Sequence, residues 1–448
     1  MDKQERLANE DVKTLLIKFS IPAIIAMLIT ALYNIVDRIF IGKIEGIGQY
    51  ALTGIGLTLP ITTVVLGFSM LVGIGAAATI SIRLGQGRKK IAEKVLGNAF
   101  SLSIIFSIIL TVIGLIFVDK LLYGFGASEN TFVYAKEYIY VILLGTTFNM
   151  VGFSMNHTIR AEGNPNRSAA TMLIGAVLNI ILDPIFIFVF NMGVRGAAIA
   201  TIISQLVSAI WVISYFYNKK SALRLRYKNM KIEWPIAKSI FAIGMSPFAI
   251  QIAASAVSIV ANRSLKIYGG DLAIGAMTII NSVILIFLMP IFGINQGSQP
   301  IIGYNYGAKK YDRVLKTLKY AIFAATILVL IGFTIVEIFP ETIIKIFNND
   351  KELVKIGTRG LRIYLSMIPI IGFQIISTNY FQSIGKAKIA VFLSVLRQVI
   401  LLIPLYIILP TYFGLTGVWL AGPISDLGAS IITFIFLIRE IKILKTEL

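Results

Sequence analysis

Residues 169–190 read AATMLIGAVLNIILDPIFIFVF, a run whose one charged side chain is Asp183. A helix of roughly 20 apolar residues crosses the hydrocarbon core of a bilayer, so this stretch is long enough to span one. A charge near mid-membrane costs roughly 2.5–3.5 kcal/mol on insertion scales and usually serves a function. The run therefore announces both a membrane protein and a place to look for its chemistry.

Working outward, comparable runs centre on 15–41, 56–82, 97–118, 138–160 and 196–217, then after a polar gap on 236–261, 272–299, 318–339, 362–384, 388–410 and 414–438. The expected fold is an all-α integral membrane protein of twelve transmembrane helices. Composition agrees: 57% of the 448 residues are hydrophobic and 14% charged, against about half apolar and a quarter charged in soluble domains. Mean hydropathy is +0.84. The N-terminal 13 residues mix both charge signs, and the first apolar run outlasts a signal peptide's core, so no cleaved signal is expected.

The absence of cysteine excludes disulfides, thiolate metal sites and cysteine nucleophiles. The single histidine, His157, cannot form a histidine cluster and reads as a structural or interfacial residue. The net charge of +19 is a loop bias, since the basic residues alternate with spans and carry no nucleic-acid motif. With the N-terminus inside, inner segments hold 28 Lys and Arg and outer loops 12, which places both termini in the cytoplasm. A multi-pass bacterial-type cytoplasmic membrane protein follows, with the lipid bilayer as its surroundings and no nucleic-acid partner.

The chain repeats itself. Ser20-Ile21-Pro22 is answered by Ser246-Pro247, and Asp37-Arg38 by Asn262-Arg263. Gly87-Arg88-Lys89-Lys90 returns as Gly307-Ala308-Lys309-Lys310, Gly163 as Gly385, and Gly193-Val194-Arg195-Gly196 as Gly414-Leu415-Thr416-Gly417. Ser204-Gln205-Leu206 faces Ser425-Asp426-Leu427. The offsets stay between 220 and 225. Six spans per repeat give both halves one orientation and predict two pseudo-symmetric bundles about a central cleft. The expected organisation is a six-helix lobe over 1–217, a basic cytoplasmic linker over 218–235 and a second six-helix lobe over 236–448. The linker carries Lys219, Lys220, Arg224, Arg226, Lys228 and Lys231, and part of it is expected to lie as an interfacial helix on anionic lipid.

Few acids fall inside spans. Asp37 sits near the outer end of the first, Asp183 in the fifth and Asp426 near the middle of the twelfth. At about 1.5 Å per residue, Asp183 lies about 21 Å from the inner start of its span and Thr201 about 12 Å from Gly193 on the outer side. Asp37, Asp183 and Thr201 can thus share the outer half of the first lobe. Asn179 and Asp183 are spaced i, i+4 on one helix face, and Pro184 frees a backbone carbonyl beside them. Two carboxylates, an amide and a hydroxyl form a hard oxygen cage suited to Na⁺, and they serve equally as a proton relay. The alternative is that Asp37 borders the interface and Asp183 is satisfied by neighbouring amides. Asn262 replaces the acid in the second lobe, so coupling is expected in the first. Asp426 is read as an ion-pair partner of Arg397 or as a second titrating group.

At these residues the sequence resembles the MATE (multidrug and toxic compound extrusion) family, nearer its DinF-like bacterial branch. The likeness runs over the whole chain: Pro22 followed by Asp37, the segment Leu178-Asn179-Ile180-Ile181-Leu182-Asp183-Pro184, the segment Gly196-Ala197-Ala198-Ile199-Ala200-Thr201, and the Gly87 and Gly307 connections. The resemblance implies antiport of amphipathic, often cationic organic compounds or drugs against H⁺ or Na⁺. It implies a cation site of Asp37, Asn179, Asp183 and Thr201, with Pro22 as the bending point of the first helix. Tyr33, Asn34, Asn156, Met172 and Gln205 become candidates for the substrate cavity, each with plain helix packing as its alternative. No cofactor is expected beyond the coupling ion, and a monomer is expected.

A flippase or exporter of lipid-linked saccharides is the main rival, and it calls for several deep cations where only Arg397 qualifies. An enzyme is disfavoured, because neither a G-x-x-x-x-G-K-[ST] phosphate loop nor an H-E-x-x-H zinc motif occurs.

Overall fold

Apolar runs in a solvent that cannot hydrogen-bond must satisfy every backbone group internally, and the helix is how a single segment does so. The computed structural model describes residues 3–218, 221–347 and 349–447, apart from the side chains of Lys3, Asn34, Gln49 and Asp271; Lys219 and Lys220 of the linker lie outside the described residues. No strand occurs among those described. The elements are α1 (Lys3–Asn9), α2 (Val12–Gly42), α3 (Gly48–Gly85), α4 (Lys89–Gly124), α5 (Glu129–Leu144), α6 (Thr146–Ala161), α7 (Pro165–Pro184), α8 (Gly193–Tyr217), α9 (Trp234–Gly307), α10 (Tyr311–Ile338), α11 (Pro340–Phe347), α12 (Lys351–Leu365), α13 (Ile368–Ser383), α14 (Ala387–Val395), α15 (Ile403–Phe413) and α16 (Leu415–Thr446).

Among the described residues nine helices are long and apolar enough to cross a bilayer, and two bent pairs bring this to eleven. The 32-residue α16 completes the order of twelve. Helix α9 holds two of the spans, Trp234–Gly270 and Leu272–Gly307, separated where Gly270 takes φ 65°, a conformation glycine adopts without steric cost. The bent pairs, α5 with α6 at 53° and α12 with α13 at 47°, begin at residues 129 and 351, well before the expected span starts at 138 and 362. Their leading turns carry charges that apolar counting skips. Starts are set by side-chain caps: Ser128 and Thr131 form a reciprocal capping box, while Asn164 and Asp350 accept from the Arg167 and Leu353 backbone amides.

By packing, the chain forms two compact units. Unit 1 comprises Met1–Ala8 and Ile25–Phe248, and unit 2 comprises Asn9–Ile24 and Ala249–Leu448. The chain passes from one to the other three times, between Ala8 and Asn9 in α1, two residues after Pro22 in α2 and one residue after Pro247 in α9. These prolines are repeat-related, so the duplication extends to where the units exchange chain. Within unit 1 the start of α9 lies hard against α3, where a Cβ at Gly244 would meet the Leu71 carbonyl oxygen at 1.8 Å.

The linker also belongs to unit 1. Asn98 of α4 donates to the carbonyls of Asn229 and Lys231 at 3.3 and 3.2 Å and accepts from the Glu233 amide at 2.8 Å. Ser101 holds the Met230 carbonyl at 2.6 Å. At the other end of the linker, Glu162 is fully buried and accepts from Tyr215 Oη, from Ser221 Oγ at 2.9 Å and from the Leu223 amide at 3.2 Å. The described linker is thus an irregular strap with one short 3-10 turn at Tyr227–Asn229, not an interfacial helix. Part of its backbone is held by α4 and by Glu162 at the end of α6, and part pairs within the linker.

Candidate functional site

The sequence places Asp183 one residue before a proline, and the backbone there is unusual. Pro184 has no N–H to give the preceding turn, and the chain continues as a π-helical stretch over Ile185–Val189. Its wide turn closes with the Phe190 amide on the Ile185 carbonyl at 2.9 Å. π-bulges of this kind recur at functional sites. The start of α8 folds back over the stretch, with the Met192 amide on the Phe186 carbonyl at 3.1 Å. A Cβ at Gly196 would stand 2.7 Å from the Phe186 backbone, so only glycine lets α8 approach closely enough to bring Thr201 to the same level.

Asp183 is fully buried and Asn179 almost so. Asn179 Nδ2 donates to Asp183 Oδ1 at 3.0 Å and reaches Thr201 Oγ1 at 3.4 Å. Thr201 spends its own proton on the Ala197 carbonyl at 3.0 Å, so its hydroxyl presents lone pairs to the site. The carboxyl of Asp37, from α2, stands beside that of Asp183, close enough for their side chains to interact directly. Yet Asp37 Oδ1, Asp183 Oδ2 and Asn179 Oδ1 are all buried with no donor. Three orphaned acceptor oxygens in one place are rare, because buried polar groups are normally paired. None of the three is reached by a hydrogen-bond donor, although the Arg38 guanidinium lies within electrostatic reach of Asp37.

The structure therefore brings Asp37, Asn179, Asp183 and Thr201 together inside unit 1. The neighbouring amide satisfies one Asp183 oxygen and leaves the other without a donor. Tyr33, one turn before Asp37, lies within electrostatic reach of both carboxyls. Sequence reasoning passed over Tyr138 of α5, which also lies near Asp37, Asp183 and Tyr33. Its signal was the i, i+4 pair Tyr134 and Tyr138 on one helix face.

One turn further along each contributing helix sits an apolar seal. Ile41, Ile187 and Ala197, each four residues from a site residue, join Ala51 and Val194 in a buried cluster. Phe40, Tyr134 and Tyr138 pack against it. These apolar side chains border the oxygens at that end, and in such low-dielectric surroundings electrostatic interactions are strong.

Gln205 is one turn beyond Thr201 and half-buried; Met172 is half-buried and eleven residues before Asp183 on α7, about 16 Å along the axis. Asn156 is buried on α6 with its Oδ1 unmatched. The side chain of Asn34 lies outside the described residues. His157 is buried with its ring 4.6 Å from that of Phe153. Pro22 sits inside α2, in the part that packs with unit 2. Also in unit 2, Arg397 Nε lies 2.5 Å from Asp426 Oδ1. Arg397 is held in a second π-helical stretch, Leu396–Leu402, whose carbonyl at Arg397 accepts from Ser425 Oγ at 2.8 Å. No group of three or more His, Cys, Asp or Glu able to hold a metal occurs among the described residues.

Comparison with known proteins agrees with this architecture. The multidrug export protein MepA of Staphylococcus haemolyticus is 30% identical over 402 residues, covering 89% of this chain and 87% of its own. MepA of Staphylococcus aureus strain MSSA476 is 30% identical over 428 residues, covering 94% and 93%. A MATE crystallised in the bent conformation superposes with a TM-score of 0.93 at 26% identity, covering 100% and 99%. A MOP superfamily transporter from Pyrococcus furiosus, whose binding pocket is described as reversed in polarity, gives 0.92 at 26% identity, covering 98% of each chain. The MatE family model matches residues 22–185 and 234–408. With both halves of the repeat matched and the twelve-helix fold shared, the chain belongs to the MatE family: it is a multi-pass membrane transporter and not an enzyme.

Proposed function

We propose that this transporter exports amphipathic organic cations and other drug-like molecules in exchange for H⁺ or Na⁺, coupled through the Asp37–Asp183 pair. The observation that carries the reading is the set of orphaned oxygens on Asp37, Asp183 and Asn179. Two adjacent carboxylates repel when both are bare, and a proton or a small cation between them relieves the repulsion. Thr201 and Asn179 complete a hard oxygen set that suits Na⁺. The drug class follows from the multidrug export proteins the chain resembles.

Coupling requires the ion to bind the two conformations with different affinity. Cation arrival would neutralise the pair and let α2 change its position beside α7, with Pro22 as the bending point. Tyr33, Asn34, Asn156, Met172 and Gln205 are the cargo-facing candidates, with Met172 adaptable to varied apolar shapes. The reading places both termini in the cytoplasm and takes the monomer, with lobes 1–217 and 236–448, as the working unit. A flippase for lipid-linked saccharides is less well supported, because Arg397, the cation that lies within a span, is neutralised by Asp426.

The test is efflux of a fluorescent organic cation from everted vesicles under a pH gradient and, separately, a sodium gradient. Wild type should respond to one gradient, and Asp37→Asn and Asp183→Asn should each lose the response. Wild-type rates in both variants would end the proposal.

A further inference from the structure

A second charged feature lies in unit 2, away from the coupling residues. Helix α12 is strongly amphipathic: Leu353, Val354, Gly357, Gly360, Leu361 and Leu365 are buried, while Lys351, Lys355, Arg359 and Arg362 are exposed. At 100° per residue these four cations fall within an arc of about 80° and extend over about 16 Å. They line an open cavity of about 540 Å³ together with Glu341, Val354, Thr358 and Ile363.

Four acids lie nearby, Glu337, Glu341 and, at the start of α12 itself, Asp350 and Glu352, and none forms an ion pair with Lys351, Lys355 or Arg359. Glu341 is committed to Lys345 at 2.6 Å. Glu337 meets only Arg362, at 3.7 Å. Among the described residues Lys351, Lys355 and Arg359 have no ion-pair partner. Like charges at i, i+4 destabilise a helix, and cations near a helix N-terminus oppose its dipole. A row of three such residues on one face is thus a standing cost unless an anion offsets it. Thr358, on the same face, has a buried Oγ1 with no partner, a hydroxyl ready to donate to an oxygen in the cavity.

Beside this groove the surface turns apolar. Ile338, Phe339, Ile346 and Phe347 are exposed by 62%, 55%, 75% and 48%. Ile338 and Phe339 precede α11, Ile346 and Phe347 belong to it, and α11 packs against α12. A phosphate site rimmed by exposed aliphatic and aromatic side chains matches an amphiphile: charge for the headgroup, grease for the chains. Free phosphate would have no use for the second half.

We propose that the α12 groove binds the phosphodiester headgroup of an anionic phospholipid, with Lys351, Lys355, Arg359 and Arg362 around the phosphate and Thr358 donating to it. Long basic side chains reach the headgroup layer readily from a helix end, and each contributes appreciably to attraction for anionic lipid.

The test uses the full chain purified in a zwitterionic detergent. Binding of a fluorescent phosphatidylglycerol would be followed by energy transfer from the native Trp residues, with phosphatidylcholine carrying the same fluorophore as the neutral control. Wild type should prefer the anionic lipid, with affinity falling as salt rises. Lys355→Gln combined with Arg359→Gln should weaken it roughly tenfold or more, and Lys355→Arg with Arg359→Lys should keep it. Millimolar inorganic phosphate should displace little lipid. Equal competition by inorganic phosphate would mean a free-anion site and overturn the lipid assignment. A salt-independent wild-type affinity, or an unchanged double Gln variant, would overturn the site itself. These residues are exposed and outside the coupling site, so the variants should keep wild-type efflux and melt no earlier than wild type.

Discussion

Replacing Asp183 by Asn separates two things that mutations usually confound, folding and function. In the native site Asn179 Nδ2 reaches Asp183 Oδ1 at 3.0 Å, and the amide oxygen of the replacement side chain can accept that bond unchanged. The new amide nitrogen then points towards Asp37, whose Oδ1 is buried without a donor. A repelling acid pair becomes an amide donating to a carboxylate. Hydrogen bonds to charged groups contribute roughly 1.5–3 kcal/mol, so Asp183→Asn should stabilise the purified protein by about that amount when no coupling cation is supplied. Transport should be abolished, because the site no longer cycles between bare and occupied. The assay is thermal unfolding in detergent at low sodium and high pH, paired with efflux from proteoliposomes. Adding sodium, or protons by lowering the pH, should then stabilise wild type by mass action, by about 2.7 kcal/mol at a hundredfold excess over Kd. The variant should barely respond. Early melting of Asp183→Asn would refute the reasoning, as would a cation-induced shift equal to that of wild type.

Three further outcomes follow from particular contacts. Glu162→Ala removes the acceptor shared by Tyr215 Oη, Ser221 Oγ and the Leu223 amide, of which Ser221 keeps the Leu223 carbonyl at 2.6 Å; at roughly 1–3 kcal/mol for each group left unpaired it should lower stability by about that amount or more and speed proteolysis of the linker, while Glu162→Gln should cost less. Gly196→Ala forces a Cβ to within 2.7 Å of the Phe186 backbone, so it should cost about 1–3 kcal/mol and reduce efflux by shifting Thr201 away from Asn179. Arg397→Met alone leaves Asp426 buried and unpaired and should cost roughly 3–5 kcal/mol, whereas Arg397→Met with Asp426→Leu should recover most of it in the same melting assay.

Much of the site is legible in the sequence because its signals are local or arithmetical. The i, i+4 spacing of Asn179 and Asp183, and the rise per residue that sets Asp37 and Thr201 at one depth, need no knowledge of packing. Apolar run length likewise locates the helices. The same count loses the first turns of α5 and α12, since Glu129, Lys351 and Lys355 interrupt the apolar signal although the helix continues. Tyr138 escapes notice because tyrosine is common in spans, and only its nearness to Asp37 and Asp183 in the folded chain makes this one special. The missing proline donor at 184 is visible, but not that the chain resolves it with a π turn and a glycine-dependent crossing of α8. Glu162 carries no pattern at all, because its three donors come from residues 53 to 61 positions away.

The most direct measurement counts the ions. Equilibrium binding of radioactive sodium and potentiometric proton uptake on the purified protein should show one cation per chain, sodium and protons competing where both bind, and neither retained in Asp37→Asn or Asp183→Asn. Full retention by either variant would contradict the idea that these two carboxyls, held side by side without a donor, are where the coupling cation sits.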